Sequence, residues 1–155
     1  MLSRRRNRRV VLTVLLAALG AAFGAAGAGA VFVEVEFFGG IDVSQFASYK
    51  WKEGASAPNF TVERAIRAEV DRQLAAKGLR KVEEEADCYI VTSVVKDLSF
   101  PGGALRVEIF EAAAGNLAWS GLATGVVTSK DSKKRQKIAI KAIKKMFKKY
   151  PKFGM

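Results

Sequence analysis

From Val33 the chain alternates apolar and acidic residues, Val33-Glu34-Val35-Glu36-Phe37, and a period of two predicts a strand with one face turned inward. Gly39-Gly40 ends that segment, and Tyr49-Lys50-Trp51-Lys52 forms a second, shorter extended stretch before the polar loop 53–59. The period then changes. Val62, Ala65, Ile66, Val70 and Leu74 recur at three- and four-residue intervals, the spacing of one helix face. The pattern predicts a helix from about Thr61, which can cap it, to Lys77, with Gly78 supplying the left-handed residue that stops it. Glu63 and Arg67, one turn apart, add a surface pair.

Three strands are predicted next, over Asp87 to Lys96, Ala104 to Phe110 and Leu117 to Thr128. The turn Ala112-Ala113-Ala114-Gly115-Asn116 is too short for a parallel crossover, so the last two should pair as an antiparallel hairpin. A final amphipathic helix runs from about Ser132 to Tyr150. It carries Ala139, Ile140, Ile143, Met146, Phe147 and Tyr150 on one face, and Pro151 ends it. These elements predict an α+β, two-layer domain over residues 31–155, a mainly antiparallel sheet with two amphipathic helices packed on one face.

Residues 1–30 read differently. Arg4, Arg5, Arg6, Arg8 and Arg9 precede 24 uncharged residues, Val10 to Val33, apolar at first and then almost wholly Ala and Gly. That order is the tripartite export signal. Ala28-Gly29-Ala30 fits the small-x-small rule and places the cut between Ala30 and Val31, with Ala26-Gly27-Ala28 as a second site. An uncleaved leader of this length would instead anchor the chain in a bilayer. The expected location is therefore the periplasm or beyond, with anchoring of residues 10–30 in the inner membrane as the alternative. Ser3-Arg4-Arg5 is similar to the start of a twin-arginine signal, but Asn7 follows where that signal carries a bulky apolar residue, which favours the general secretory route.

Charge sharpens this picture. The 155 residues hold 26 Lys+Arg against 15 Asp+Glu, a formal +11, with one Cys and no His. A single Cys excludes an internal disulfide, and the lack of His excludes His-based triads and zinc fingers. Five of the positive charges sit in the leader. Residues 31–129 hold ten basic and fourteen acidic side chains, whereas residues 130–155 hold eleven basic and one acidic. The excess thus lies on the last helix, where Lys137, Lys141, Lys144, Lys145, Lys148 and Lys149 share the polar face. Such a face keeps a protein soluble; it also attracts anionic partners, whether lipid head groups, an acidic polysaccharide or an acidic protein. Binding of nucleic acid by this face fits its charge but neither the export signal nor the lack of a clear run of exposed aromatics among the bases.

Other candidates are weaker. Trp51 and Trp119 suit either a ligand groove or the core, and large aromatics more often fill cores. Asp42 with Ser44 is ordinary turn chemistry. Asp87 after Glu83-Glu84-Glu85 lacks the converging oxygens of a hard-cation site and reads as a solvated loop. Cys88, in an apolar strand, has none of the electropositive surroundings of a reactive thiol. Asn59-Phe60-Thr61 is a glycosylation sequon. Phosphate loops, paired-Cys motifs and nucleophile elbows do not occur. The sequence nominates no catalytic residue, cofactor or metal; a carboxylate-based hydrolase is the enzymatic alternative to a non-catalytic interaction or structural module.

Several segments, in order, resemble a family of bacterial envelope proteins, domain of unknown function 4136. Asp42-Val43-Ser44-Gln45-Phe46-Ala47-Ser48-Tyr49-Lys50-Trp51 is similar to its opening Asp-x-Ser-x-aromatic-x-x-aromatic-x-Trp motif. Ile66 to Leu79 resembles its helix closing on Lys77-Gly78, and Ala86-Asp87-Cys88-Tyr89-Ile90-Val91 its Ala-Asp-x-x-Val strand. Leu105 to Gly121, with Gly115, Trp119 and Gly121, resembles its strand–turn–strand ending Trp-x-Gly, and Tyr150-Pro151 its closing aromatic-Pro. The resemblance implies an envelope location and a structural role for these motif residues; the family has no assigned activity. Many members carry a lipobox Cys that this chain lacks, and Glu111 stands where an Asp is common.

Overall fold

The computed structural model describes residues 31–52, 60–95, 102–126 and 130–155. Strands β1 (Phe32–Phe37), β2 (Ser48–Trp51), β3 (Arg80–Lys81), β4 (Cys88–Val95), β5 (Ala104–Glu111) and β6 (Leu117–Thr124) form one sheet in the order β1-β6-β5-β4-β2-β3. Helix α1 (Phe60–Ala76) follows β2 and helix α2 (Ser132–Phe147) closes the chain. The fold is α+β, as the pattern predicts. The pairings β1–β6, β6–β5 and β5–β4 are antiparallel, and Glu111 and Asn116 bracket the expected hairpin turn. The sheet is nevertheless mixed, because β2 runs parallel to both β3 and β4. The chain returns through α1, and a helical return delivers the next strand parallel.

Period decides which residues meet the helices. Ile90, Leu105, Val107, Ile109, Trp119 and Ala123 are buried and share a core with Val62, Ile66, Val70 and Leu74 of α1 and Ala139, Ala142, Ile143, Met146 and Phe147 of α2. Their strand neighbours Tyr89, Val91, Glu108, Phe110 and Leu122 point the other way and are only half-buried. Both helices therefore lie on one face of the sheet. Among the described residues no helix is long and apolar enough to cross a membrane.

Some expected boundaries move. Helix α1 starts at Phe60, so Thr61 lies inside its first turn rather than at the cap. Strand β6 ends at Thr124, because Gly125 turns away with φ +78°; residues 127 and 128 of the predicted strand lie outside the described residues. Helix α2 gives way to a turn after Phe147. The leader through Ala30, with its cleavage site, and Asn59 of the sequon also lie outside the described residues. At the end of α1, Gly78 (φ +94°) closes a Schellman cap: its N–H donates to Ala75 O at 3.0 Å, and Leu79 N–H donates to Leu74 O at 3.0 Å.

Candidate functional site

Three carboxylates of the motif segments hold backbone and aromatic groups in place. Asp42 caps the short 3-10 helix Val43–Gln45, its Oδ1 accepting from Ser44 N (3.0 Å) and Ser44 Oγ (2.6 Å). The Ser44 hydroxyl, then its N–H, hold the Asp42 carboxyl below the usual range. Asp87 ties β2 to β4: its Oδ2 accepts from Ala47 N (2.8 Å) and Ser48 N (3.0 Å), while its own N–H donates to Ser48 Oγ (3.0 Å). Asp42 and Ser44 thus close a local turn. Asp87 does more than border a solvated loop, because 39 residues upstream it finds the start of the parallel strand.

The third carboxylate, Asp71 on α1, was not legible as a partner. Its Oδ1 accepts from Tyr49 Oη (2.7 Å) and Trp51 Nε1 (2.8 Å), and its Oδ2 from Lys81 Nζ (3.3 Å). Arg67 stacks over the Trp51 ring at 4.8 Å. Trp51 is thus only half-buried at the margin of the core, not a core filler, because its indole N–H must reach Asp71. Burial, then the bond to Asp71, pushes the Tyr49 phenol up. The signal for Asp71 lies in the helix period: it stands one residue from the Val70 stripe, on the flank facing β2.

Trp119 is fully buried. It packs against Phe147 (centroids 5.1 Å apart) and edge-on to Tyr150 (5.4 Å). Its indole N–H has no acceptor among the described residues. Gly121, two positions on, leaves room for this packing: a Cβ there would lie 2.9 Å from both Met146 Sδ and Trp119 Cη2. Gly115 (φ +73°) makes the β5–β6 turn, where Asn116 Nδ2 donates to Glu111 Oε1 at 2.9 Å. After Pro151 the tail folds back, Phe153 N donating to Lys77 O (2.7 Å) and Gly154 N to Ser44 O (2.9 Å). Cys88 is buried, and burial, then the charge of Asp87, pushes its thiol up to about 12. Glu69 on α1 is 1% exposed yet satisfied, accepting from Arg72 Nη1 (2.6 Å) and Gln73 Nε2 (2.9 Å). Its i+3 spacing from Ile66 was the only hint of a buried acid.

Further charged side chains gather on two surfaces. Lys137, Lys141, Lys144 and Lys145 on α2, and Lys148 and Lys149 in the turn that follows it, are all exposed. On the opposite side, the uncovered sheet face bears a shallow groove of about 230 Å³ whose lining includes Glu34, Glu36, Glu108 and Arg106 over Leu122 and Phe38. A second recess, about 480 Å³, lies where Glu85, Asp87 and Glu111 meet Gln45 and Phe46. Among the described residues no cluster of three or more acidic or Cys side chains converges to hold a metal ion.

The profile of the domain of unknown function DUF4136 matches residues 33–152. The chain belongs to this family. No curated protein matches it. Among solved structures, the DUF4136 chain is similar to a PDZ domain protein from Parabacteroides distasonis, with TM-score 0.60 and 16% identity. That match covers 80% of this chain but only 37% of the other, so the chain spans little more than a third of that neighbour. Two crystal forms of PelC from Paraburkholderia phytofirmans, both described as dodecamers, match with TM-score 0.53 at 14% and 13% identity. Each match covers 76% of this chain and 94% of PelC. At such identities these likenesses speak for the fold of the DUF4136 domain.

Proposed function

We propose that this chain is an exported module of the bacterial envelope that works through its surfaces rather than through a reaction centre. The observation that carries the reading is the division of labour among its charged groups. The motif carboxylates Asp42 and Asp87, and with them Asp71, are spent on holding strands and aromatic rings, while the whole Lys row of α2 stands free of the fold. A carboxylate that accepts two donors at 2.6–3.0 Å is poorly placed for general acid or base work. An unbroken Lys face instead offers long-range attraction to an anionic partner. The leader pattern over residues 1–30 supports export, and PelC, described as a dodecamer, offers a precedent for assembly of chains with this fold.

Expression with the native N-terminus, followed by cell fractionation and intact-mass measurement, tests the location. Export predicts a chain beginning at Val31 in the periplasmic fraction. Full-length chain recovered from the cytosol defeats the reading, and full-length chain in the membrane fraction replaces it with the anchored form.

A further inference from the structure

The two surfaces left over are complementary, and they belong to opposite sides of the same domain. On one side stands the Lys row of α2. On the other, the uncovered sheet face carries Glu34 and Glu36 on β1 and Glu108 on β5 around a floor that includes Leu122. The register sets the spacing: Glu36 and Glu108 both face Ser120 from either side, and Glu34 and Arg106 both face Leu122. Three carboxylates therefore share the groove with one guanidinium, and among the described residues none of the three pairs with Arg106. The other cations that the register places on this face among the described residues lie beyond β5, on the far side from Glu34 and Glu36: Lys50, 5.2 Å over the Tyr89 ring, and Arg80 on β3, which faces Ser48.

We propose that this groove receives the Lys face of α2 from a second copy of the chain, so that copies associate head to tail. The inference deepens the surface reading by naming the partner of the Lys face. Dimensions favour it. A helix of 16 residues is about 24 Å long, and strands of eight residues run about 27 Å, so the helix lies along the strands without overhang. Along β1, Glu34 and Glu36 are about 7 Å apart, close to the rise of roughly 6 Å between Lys141 and Lys145. Glu108, two strands away at about 10 Å, falls within reach of the neighbouring Lys144 and Lys148. The Lys stems supply methylenes to cover the half-exposed floor while their ammonium groups meet the carboxylates.

Anions in general would suit the Lys face. What selects a second copy is the acidic, apolar-floored surface of matching length on the same molecule. Because the two surfaces lie on opposite layers, a chain cannot satisfy its own pair, and the contact is heterologous, closing as a ring or running on as a filament.

The test is sedimentation of the purified full chain at low and high salt, in three forms: wild type, Glu34→Lys/Glu36→Lys/Glu108→Lys, and Lys141→Glu/Lys145→Glu/Lys148→Glu. Wild type should sediment as oligomers that dissociate as salt rises. Each variant should be monomeric, its Kd raised about 100-fold or more, and an equimolar mixture of the two should associate again, since each reversed face then meets its complement. That rescue also shows both variants folded. Should the triple Glu variant fail to melt cooperatively, Glu34→Lys/Glu36→Lys, at exposed edge-strand positions, is read in the same way. Wild type that stays monomeric overturns the proposal. So does association that ignores the Glu changes, as it would if residues 1–30 or an outside anion held the copies together, and so does a mixture that remains monomeric. None of these readouts depends on where the chain resides in the cell, so a failure here is distinct from a failure of export.

Discussion

Replacing Gly121 by Ala puts a methyl where the fold has none to spare. Gly121 is extended, in the middle of β6, and has no positive φ, so the backbone itself accepts Ala. Relief of unfolded-chain entropy would by itself stabilise the variant by about 0.4–1 kcal/mol. Against this stand contacts of 2.9 Å to Met146 Sδ, 2.9 Å to Trp119 Cη2 and 3.0 Å to Met146 Cγ. The indole is held by Phe147 and Tyr150 and has little room to retreat. Met146 is unbranched and can swing, but it is fully buried. Overpacking of this kind costs about 1–3 kcal/mol. The overpacking term wins, leaving a net loss of about 1–2 kcal/mol.

Urea unfolding followed by tryptophan fluorescence measures the loss. The decisive arm is the double variant with Met146→Ala, which alone should cost about 2–5 kcal/mol. In that background the new methyl enters space vacated by the thioether. The two changes should then be non-additive, with coupling of about 1 kcal/mol or more in the stabilising direction. A neutral Gly121→Ala, or strict additivity with Met146→Ala, would show that Gly121 is not there to seat Trp119 against α2.

Further outcomes follow from the polar clasps. Asp71→Ala strips the acceptor from the buried Tyr49 hydroxyl and the Trp51 indole and should cost about 2–3 kcal/mol, with Asp71→Asn losing less because its amide oxygen still accepts; denaturant melts check both. Asp87→Ala orphans the N–H groups of Ala47 and Ser48 and should cost about 2 kcal/mol, with faster amide exchange at those two positions by NMR. Cys88 should resist a thiol reagent at pH 8 in the native chain and react at once in urea. Because its folded thiol keeps its proton to about 12 against an ordinary value of 9.0, the unfolded state binds fewer protons between those values. Stability should therefore fall as pH rises through that window, by up to about 1.4 kcal/mol per pH unit from this group. In pH-dependent melts, Cys88→Ala should make the decline shallower.

How far the sequence discloses this structure depends on the range of the interaction. Strand and helix periods, the hairpin around Gly115 and the stop at Gly78 are local, and every element they predict is present, with the largest shifts at the ends of β6 and α2. The parallel pairing of β2 was not legible. Its register rests on Asp87 reaching Ala47 and Ser48 some forty residues away, and no period encodes that. For the same reason the two-residue β3 escaped notice. It exists because the chain leaving Gly78 runs beside β2, where Arg80 N donates to Ala47 O at 2.9 Å. Aromatic size argues for burying Trp51 in the core, whereas its N–H and the Arg67 stack hold it at the margin. The Lys face could be read directly, since it needs only the helix period. Its acidic counterpart could not, because Glu34, Glu36 and Glu108 come together only once β6 lies between β1 and β5.

That contrast bears on what the family motif can mean. Asp42, Ser44, Tyr49, Trp51, Gly78, Asp87, Gly115, Trp119 and Gly121 each cap, tie, stack or clear space for a neighbouring element, and the segment after Pro151 pins the end of α1. A side chain whose hydrogen-bonding capacity is spent on a strand has little left for a ligand, and a buried indole between two rings has no surface to offer. The motif therefore describes how this sheet and its helices are held together. Under the proposed reading, recognition falls to residues outside the motif, on the Lys row and on the uncovered sheet face, and a change of charge at these positions should alter association while leaving the fold intact.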